Sequence, residues 1–198
     1  MCAKKNIKAV ILQQSLDLFN SYSWSAISLR KVAAALKISD GNLRYHFKTK
    51  EDIVLSLFGQ MTAEMAEVIL SAGQTVEDLV PNFERMFRIM YRYRFLFIEA
   101  YFIRRAYESY GILFTQLQES RKSLFMDAFQ RLKREGILTD TFSDAQYELL
   151  FEQLFVISDS WLKYVDADVP MEEVEAQINH YAQLCFGLIR PYMADRFP

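Results

Sequence analysis

The sequence predicts an all-α protein. Apolar residues recur at three- and four-residue spacing almost throughout, which is the helical period. Only four prolines and six glycines interrupt the 198 residues. Alternating apolar and polar runs bounded by turn signals, the mark of strands, are missing. Charge then divides the chain, because residues 1–60 carry a formal charge of about +5 and the remainder about −7, within a net −2. A basic head on an acidic body suits a protein whose N-terminus meets phosphates while the rest does not.

The first helix is expected over about Lys4–Ser21, with Ile7, Val10, Ile11, Leu18 and Phe19 facing inward and Lys4, Lys5 and Lys8 left for solvent or phosphate. Ser28 reads as the N-cap of a short, alanine-rich second helix from Leu29 to Leu36, since its hydroxyl can accept from unpaired backbone N–H groups. The chain breaks at Lys37-Ile38, and Ser39 caps a third helix from Asp40 to Phe47. Thr49 with Asp52 forms a capping box that opens a longer fourth helix toward Ser71. Ala72 and Gly73 mark the next break, and Pro81 belongs near the first turn of a fifth helix, because an interior proline costs roughly 3 kcal/mol.

Aromatic residues are dense from Phe83 to about Phe129. Gly136, following the cationic turn Arg131–Arg134, closes the helix before it. Ser143 with Gln146 makes another capping box for a helix through Tyr164. Pro170 with Glu172 and Glu173 starts a last helix that runs to about Met193, bringing the expected total to about nine.

Reactive chemistry finds little support. Cys2 and Cys185 lie near opposite ends, offer no disulfide framework or zinc spacing, and read as free thiols, Cys185 as ordinary core. His46 and His180 have no carboxylate or cysteine at metal spacing and sit in no nucleophile–base pattern. A glycine-rich phosphate loop is missing as well. The expectations are therefore no enzyme, no cofactor and no metal. No apolar run approaches the roughly 18 residues that span a bilayer, and the start of the chain lacks a signal-peptide stretch, so a cytoplasmic location is expected.

Three short helices, the second and third flanking a tight turn and the third carrying polar residues, form a helix-turn-helix pattern whose second member enters the major groove. The segment Ile27–Val54, ISLRKVAAALKISDGNLRYHFKTKEDIV, closely resembles the signature of the TetR family of regulators. Shared features are a Ser/Thr cap, an alanine-rich helix two, a serine-started helix three and the string Leu-x-Tyr-His-Phe-Lys-x-Lys-Glu. The specific match runs from about Ile7 to Phe58. It departs from the family at Lys37 and at Ser23, where the family usually has glycine.

Leu29, Val32, Ala33, Leu36, Ile38, Leu43 and Phe47 can form the small core that sets helix two against helix three. Ser28 and Ser39 combine a hydroxyl with a helix N-terminus, a favourable place for a phosphate oxygen. The resemblance implies that Tyr45, His46 and Lys50 clamp the DNA backbone. It also implies that Asn42 and Arg44 read base edges, assisted by Asp40, Gly41 and Arg30; arginine suits guanine and asparagine suits adenine.

For the body, the resemblance implies a helix-turn-helix domain over 1–50 and a helical effector-binding and dimerisation domain over 51–198. A mostly apolar small molecule is expected between helices five to eight, oriented by Tyr91, Tyr101, Arg104 or Trp161. The last two helices are expected to pair with their copies in a homodimer, using apolar residues such as Leu149, Leu150, Leu154, Phe155, Ile178, Leu184, Cys185 and Leu188. The expected function is a DNA-binding regulator, a repressor released from a near-palindromic operator by that effector. The alternative is a DNA-binding protein whose C-terminal domain only dimerises or binds a partner protein.

Overall fold

The computed structural model describes residues 6–70, 75–165 and 169–194. Cys2, Lys4, Lys5, Ser71, Ala72 and Gly73 lie outside the described residues. Ten α-helices and no strand occur among the described residues, and they divide between two compact units. The first unit draws on Met1–Ala63 and Tyr93–Gly111, the second on Glu64–Arg92 and Ile112–Pro198. The first thus takes in a segment from the middle of the chain.

In the first unit, α1 (Ile7–Ser21) begins at Asn6, whose Oδ1 accepts from the Lys8 N–H at 3.2 Å. It buries Ile11, Leu12, Leu16 and Phe19, whereas Ile7, Val10 and Leu18 are half-buried. The inward stripe is therefore rotated from the expected one toward Leu12 and Leu16. Ser15 sits inside it because its hydroxyl donates back to the Ile11 carbonyl at 2.8 Å, which satisfies a buried polar group locally.

A 3-10 turn at Trp24–Ala26 leads to α2 (Leu29–Leu36), which Ser28 caps by accepting from the Lys31 N–H at 3.3 Å. Lys37 ends α2 in the left-handed region, at φ 56° and ψ 37°. Its N–H bonds to Ala34 and that of Ile38 to Ala33, both at 3.1 Å, which satisfies carbonyls the helix leaves open. Then α3 (Asp40–His46) starts at Ser39, whose Oγ accepts from the Asn42 N–H at 3.1 Å. The Thr49–Asp52 capping box opens α4 (Lys50–Leu70), with reciprocal bonds of 2.8 and 3.0 Å.

By length and composition α4 could cross a membrane, contrary to the expectation from the sequence. Its apolar run has a simpler cause, since Ile53, Val54, Leu57, Phe58, Met61, Met65 and Val68 are all buried.

The middle segment of the first unit contains α6 (Phe95–Ile98) and α7 (Ala100–Ala106), separated at Glu99. That break raises the helix count above the expected nine. The segment is fastened to α1, where Asn20 Oδ1 accepts from the Phe95 N–H at 3.2 Å and Phe95 packs on Phe19 at 5.1 Å between centroids.

The second unit is built on α5 (Leu79–Arg92), α8 (Glu108–Arg134), α9 (Asp144–Ser160) and α10 (Met171–Ile189). Pro81 is the third residue of α5, where a missing N–H costs nothing. Gly136 takes φ 69° just past α8, and Ser143 with Gln146 makes the capping box of α9. α10 packs against both α5 and α9. Arg88 of α5 ties the former pair together by meeting Glu84 at 3.3 Å and Glu175 of α10 at 2.8 Å.

Lys37 holds a conformation that favours glycine. Lys37→Gly should raise stability by about 1 kcal/mol, read as a higher urea midpoint at unchanged slope. An unchanged or lower midpoint contradicts the strain assigned to this turn.

Candidate nucleic-acid interface and cavity

The candidate DNA-reading residues come from α2, α3 and the start of α4. Burial of Leu29, Val32, Ala33, Leu43 and Phe47 fixes α2 against α3, while Leu36 and Ile38, expected with them, are half-buried at the turn. The small alanine lets the two backbones approach. Outside this core, Ser28, Arg30, Ser39, Gly41, Asn42, Arg44 and Tyr45 are exposed, and Asp40, His46 and Lys50 are half-buried.

The two capping serines use their oxygens as acceptors, so each hydroxyl keeps a proton to donate outward. Arg44 Nε donates to Asp40 Oδ2 at 2.7 Å and its Nη1 to the Lys48 carbonyl at 3.2 Å. An exposed pair at this spacing is worth about 0.3–0.5 kcal/mol, so a base edge can displace it at little cost. Tyr45 is 85% exposed, with its ring edge-on to His46 at 5.1 Å. Gly41 has no described residue within 4 Å of the place a Cβ would take, so none of them demands a glycine there.

Lys50 differs from the others in being held by the protein. Its Nζ donates to the carbonyls of Trp24 at 3.1 Å and Ile27 at 3.0 Å and lies 4.1 Å from the centre of the Trp24 ring. Burial pushes its pKa below the ordinary lysine value, and the nearby Glu99 carboxylate opposes that shift. With two of three N–H groups engaged, one remains for an outside acceptor.

Glu99 accepts from the Trp24 N–H at 2.6 Å and from the Ser23 hydroxyl at 2.9 Å. Ser23, a departure from the family pattern, thus supplies a donor that glycine lacks. Tyr107 closes the cluster, edge-on to Trp24 at 5.5 Å. Sequence reasoning missed Glu99, which lies 75 residues from Trp24 and in no motif.

Within the second unit, a cavity of about 120 Å³ lies among α4, α5, α8, α9 and α10. Phe83, Phe87, Phe125, Phe129, Phe151 and Phe155 line it. Arg121, only 8% exposed, also lines it and has partners of its own: Nη1 meets Asp159 at 3.1 Å, Nη2 meets Ser158 at 3.2 Å, and the guanidinium stacks on Phe155 at 4.8 Å. A charge this deep is tolerable only with such a counter-ion. Two other lining residues contribute buried donors without a partner, Asn82 Nδ2 and Arg131 Nε. An unmade bond at a buried donor costs about 1–3 kcal/mol. Cys185 is a wall residue whose thiol burial pushes up to about 12, so it stays protonated near neutrality.

None of Tyr91, Tyr101, Arg104 and Trp161, expected to orient a ligand, lines this cavity. Tyr101 and Arg104 are exposed on α7, in the first unit. Trp161 is fully buried in an aromatic cluster, 5.2 Å from Phe87, 5.7 Å from Tyr181 and 6.5 Å from Tyr91. The polar groups that do line it are Asn82, Arg121, Arg131 and Ser158. Arg131 carried the one sequence signal, and it reads there as a helix-ending cation. Among the described residues no three His, Cys, Asp or Glu side chains are grouped to hold a metal.

Residues 11–57 match the family model described as "Bacterial regulatory proteins, tetR family", and residues 57–197 match one described as "Bacterial transcriptional repressor". No curated protein matches the chain. Among solved structures, a TetR-family transcriptional regulator from Marinobacter aquaeolei VT8 is similar with a TM-score of 0.84 at 20% identity, covering 96% of this chain and 92% of that one. The Salmonella enterica GusR structure has a TM-score of 0.70 at 16% identity, covering 96% and 98%. The ketosteroid transcriptional regulator KstR2 of Mycobacterium tuberculosis has a TM-score of 0.68 at 14% identity, covering 98% of each chain. At these identities the likeness concerns the fold.

Lys50 and Glu99 act through one small cluster. Lys50→Met and Glu99→Gln should each destabilise the protein by about 1–3 kcal/mol, and the double variant by clearly less than their sum. Strict additivity in a denaturation cycle is the result that breaks the cluster apart.

Proposed function

Starting from the fact that this chain is a transcriptional regulator belonging to the TetR family of bacterial regulatory proteins, we propose that it is a cytoplasmic repressor released from a near-palindromic operator when a mostly apolar small molecule enters the cavity of the second unit. The observation that carries the DNA half is the exposed face of α3. Asn42, Arg44 and Tyr45 are exposed there, on a helix capped by Ser39 and within residues 1–60, which carry the excess positive charge. Arg44 reads a guanine edge and Asn42 an adenine edge, with Asp40, Gly41 and Arg30 alongside. Ser28, Ser39, Tyr45, His46 and the remaining N–H of Lys50 take phosphate oxygens, which position the head without specifying sequence.

A near-palindromic operator follows if the protein binds as a homodimer through α9 and α10. Leu149 and Val156 support this pairing, because they lie seven residues apart on one face of α9 and are 52% and 61% exposed. Leu184 of α10 is 42% exposed. Leu150, Leu154, Ile178 and Cys185, grouped with them in the sequence reading, are buried within the protomer and so support the unit rather than a partner. Two-fold symmetry sets the α3 helices in successive major grooves, roughly 34–36 Å apart. An effector releases the operator only by binding the non-operator geometry more tightly, and DNA then weakens effector binding by the same factor. The cavity, with its unmet donors, favours this reading over a body that only dimerises or docks a partner protein.

Selection of bound fragments from random DNA should return an inverted repeat, and Arg44→Ala should relax discrimination at one base position per half-site by about 1–3 kcal/mol. Recovery of single, asymmetric sites counts against the symmetric reader. Replacing Leu149 and Val156 together by lysine should convert the dimer to a monomer in sedimentation and lower operator affinity. A variant that sediments as a dimer shows that α9 is not the interface.

A further inference from the structure

Resting on the reading of the cavity as the effector site, we propose that the effector is a small apolar carboxylic acid, bound as its anion with the carboxylate on Arg131 and Asn82 and the body among the phenylalanines. Native interiors leave few buried polar atoms unpartnered. Here two donors from different helices, Asn82 Nδ2 on α5 and Arg131 Nε on α8, are buried on the wall of one cavity with no acceptor. Both are donors, so the group they await is an acceptor that the described residues do not supply.

Charge narrows the chemistry. Among the described residues, two arginines line the cavity and no Asp or Glu does. Arg121 has its counter-ion in Asp159, whereas no carboxylate among the described residues lies within ion-pair distance of Arg131. Among the described residues, the half-buried Arg131 therefore brings the wall a positive charge with no counter-ion. A single-charged, planar carboxylate matches both that charge and the fork geometry of a guanidinium. An amine meets no anionic partner here, and a phosphate brings more negative charge than the wall can offset.

Size and walls narrow the body. A volume of about 120 Å³ is somewhat below the ~150 Å³ apolar cavity known to hold benzene, so the apolar part is about one aromatic ring or a short alkyl chain. Six phenylalanine rings favour an aryl group by offering edge and face contacts.

The test is calorimetric titration of the full-length protein near neutral pH with probes of similar size and different charge. Phenylacetate and hexanoate are the anions, benzyl alcohol and toluene the neutral probes, and benzylamine the cation. Phenylacetate should bind about tenfold or more tightly than benzyl alcohol, with benzylamine weakest. Arg131→Gln and Asn82→Leu should each erase most of that preference while still binding the neutral probes, and Arg131→Lys should retain part of it.

Equal or tighter binding of the neutral probes to the wild-type protein overturns the carboxylate assignment and leaves the cavity reading standing. So does an undiminished preference in both Arg131→Gln and Asn82→Leu. If no probe of any charge binds, the effector-cavity reading falls and this proposal falls with it. The comparison among probes on the wild-type protein needs no variant to fold.

Discussion

The ammonium of Lys50 sits on two backbone carbonyls and an indole face, with the Glu99 carboxylate close enough to offset part of the cost of its burial. Each partner needs the others. Without Lys50, the Ile27 carbonyl loses its side-chain donor and the Trp24 carbonyl keeps only the Ile27 N–H of the 3-10 turn. Without Glu99, the Trp24 N–H and Ser23 hydroxyl lose an acceptor, and the half-buried ammonium loses its compensating charge. Since that turn leads directly into Ser28 and α2, this cluster helps to position α2 and α3 alongside the apolar contacts beneath them. The same cation keeps one N–H for an outside oxygen, which makes a structural contact and a phosphate contact compatible in one side chain.

A second constraint acts in the body. Close packing leaves little room in a protein interior, so a cavity walled by phenylalanines is costly unless something is gained from it. Arg121 shows how the fold handles an obligatory buried charge, with a counter-ion, a hydroxyl and an aromatic face all supplied from within. Arg131 and Asn82 lack that provision. The contrast between these neighbouring groups is what gives the cavity a chemical character beyond its shape.

DNA binding and ligand binding can communicate only if the ligand distinguishes two states of the dimer. A charged headgroup suits that role, because an ion pair shielded from water changes strongly in energy with small displacements of the helices that carry it. An apolar body alone adapts to many geometries and discriminates less between them.

The sequence by itself determined the local features. Helix starts at Ser28, Ser39, Thr49 and Ser143, the stop at Gly136, the break at Lys37-Ile38 and the all-α class are all legible, since each depends on residues within a few positions of one another. The polar face of α3 is legible for the same reason.

What only the tertiary structure decided depends on residues distant in the chain. The phase of α1 turned toward Leu12 and Leu16 because a neighbour, and not periodicity alone, selects the buried face. Glu99 joined Trp24 across 75 residues. The cavity took its polar groups from Asn82, Arg121, Arg131 and Ser158 in place of the expected Tyr91, Tyr101, Arg104 and Trp161. Backbone capping is a short-range interaction that composition and spacing encode directly, whereas burial and charge pairing are set by which helices meet, and that is specified by the whole chain at once.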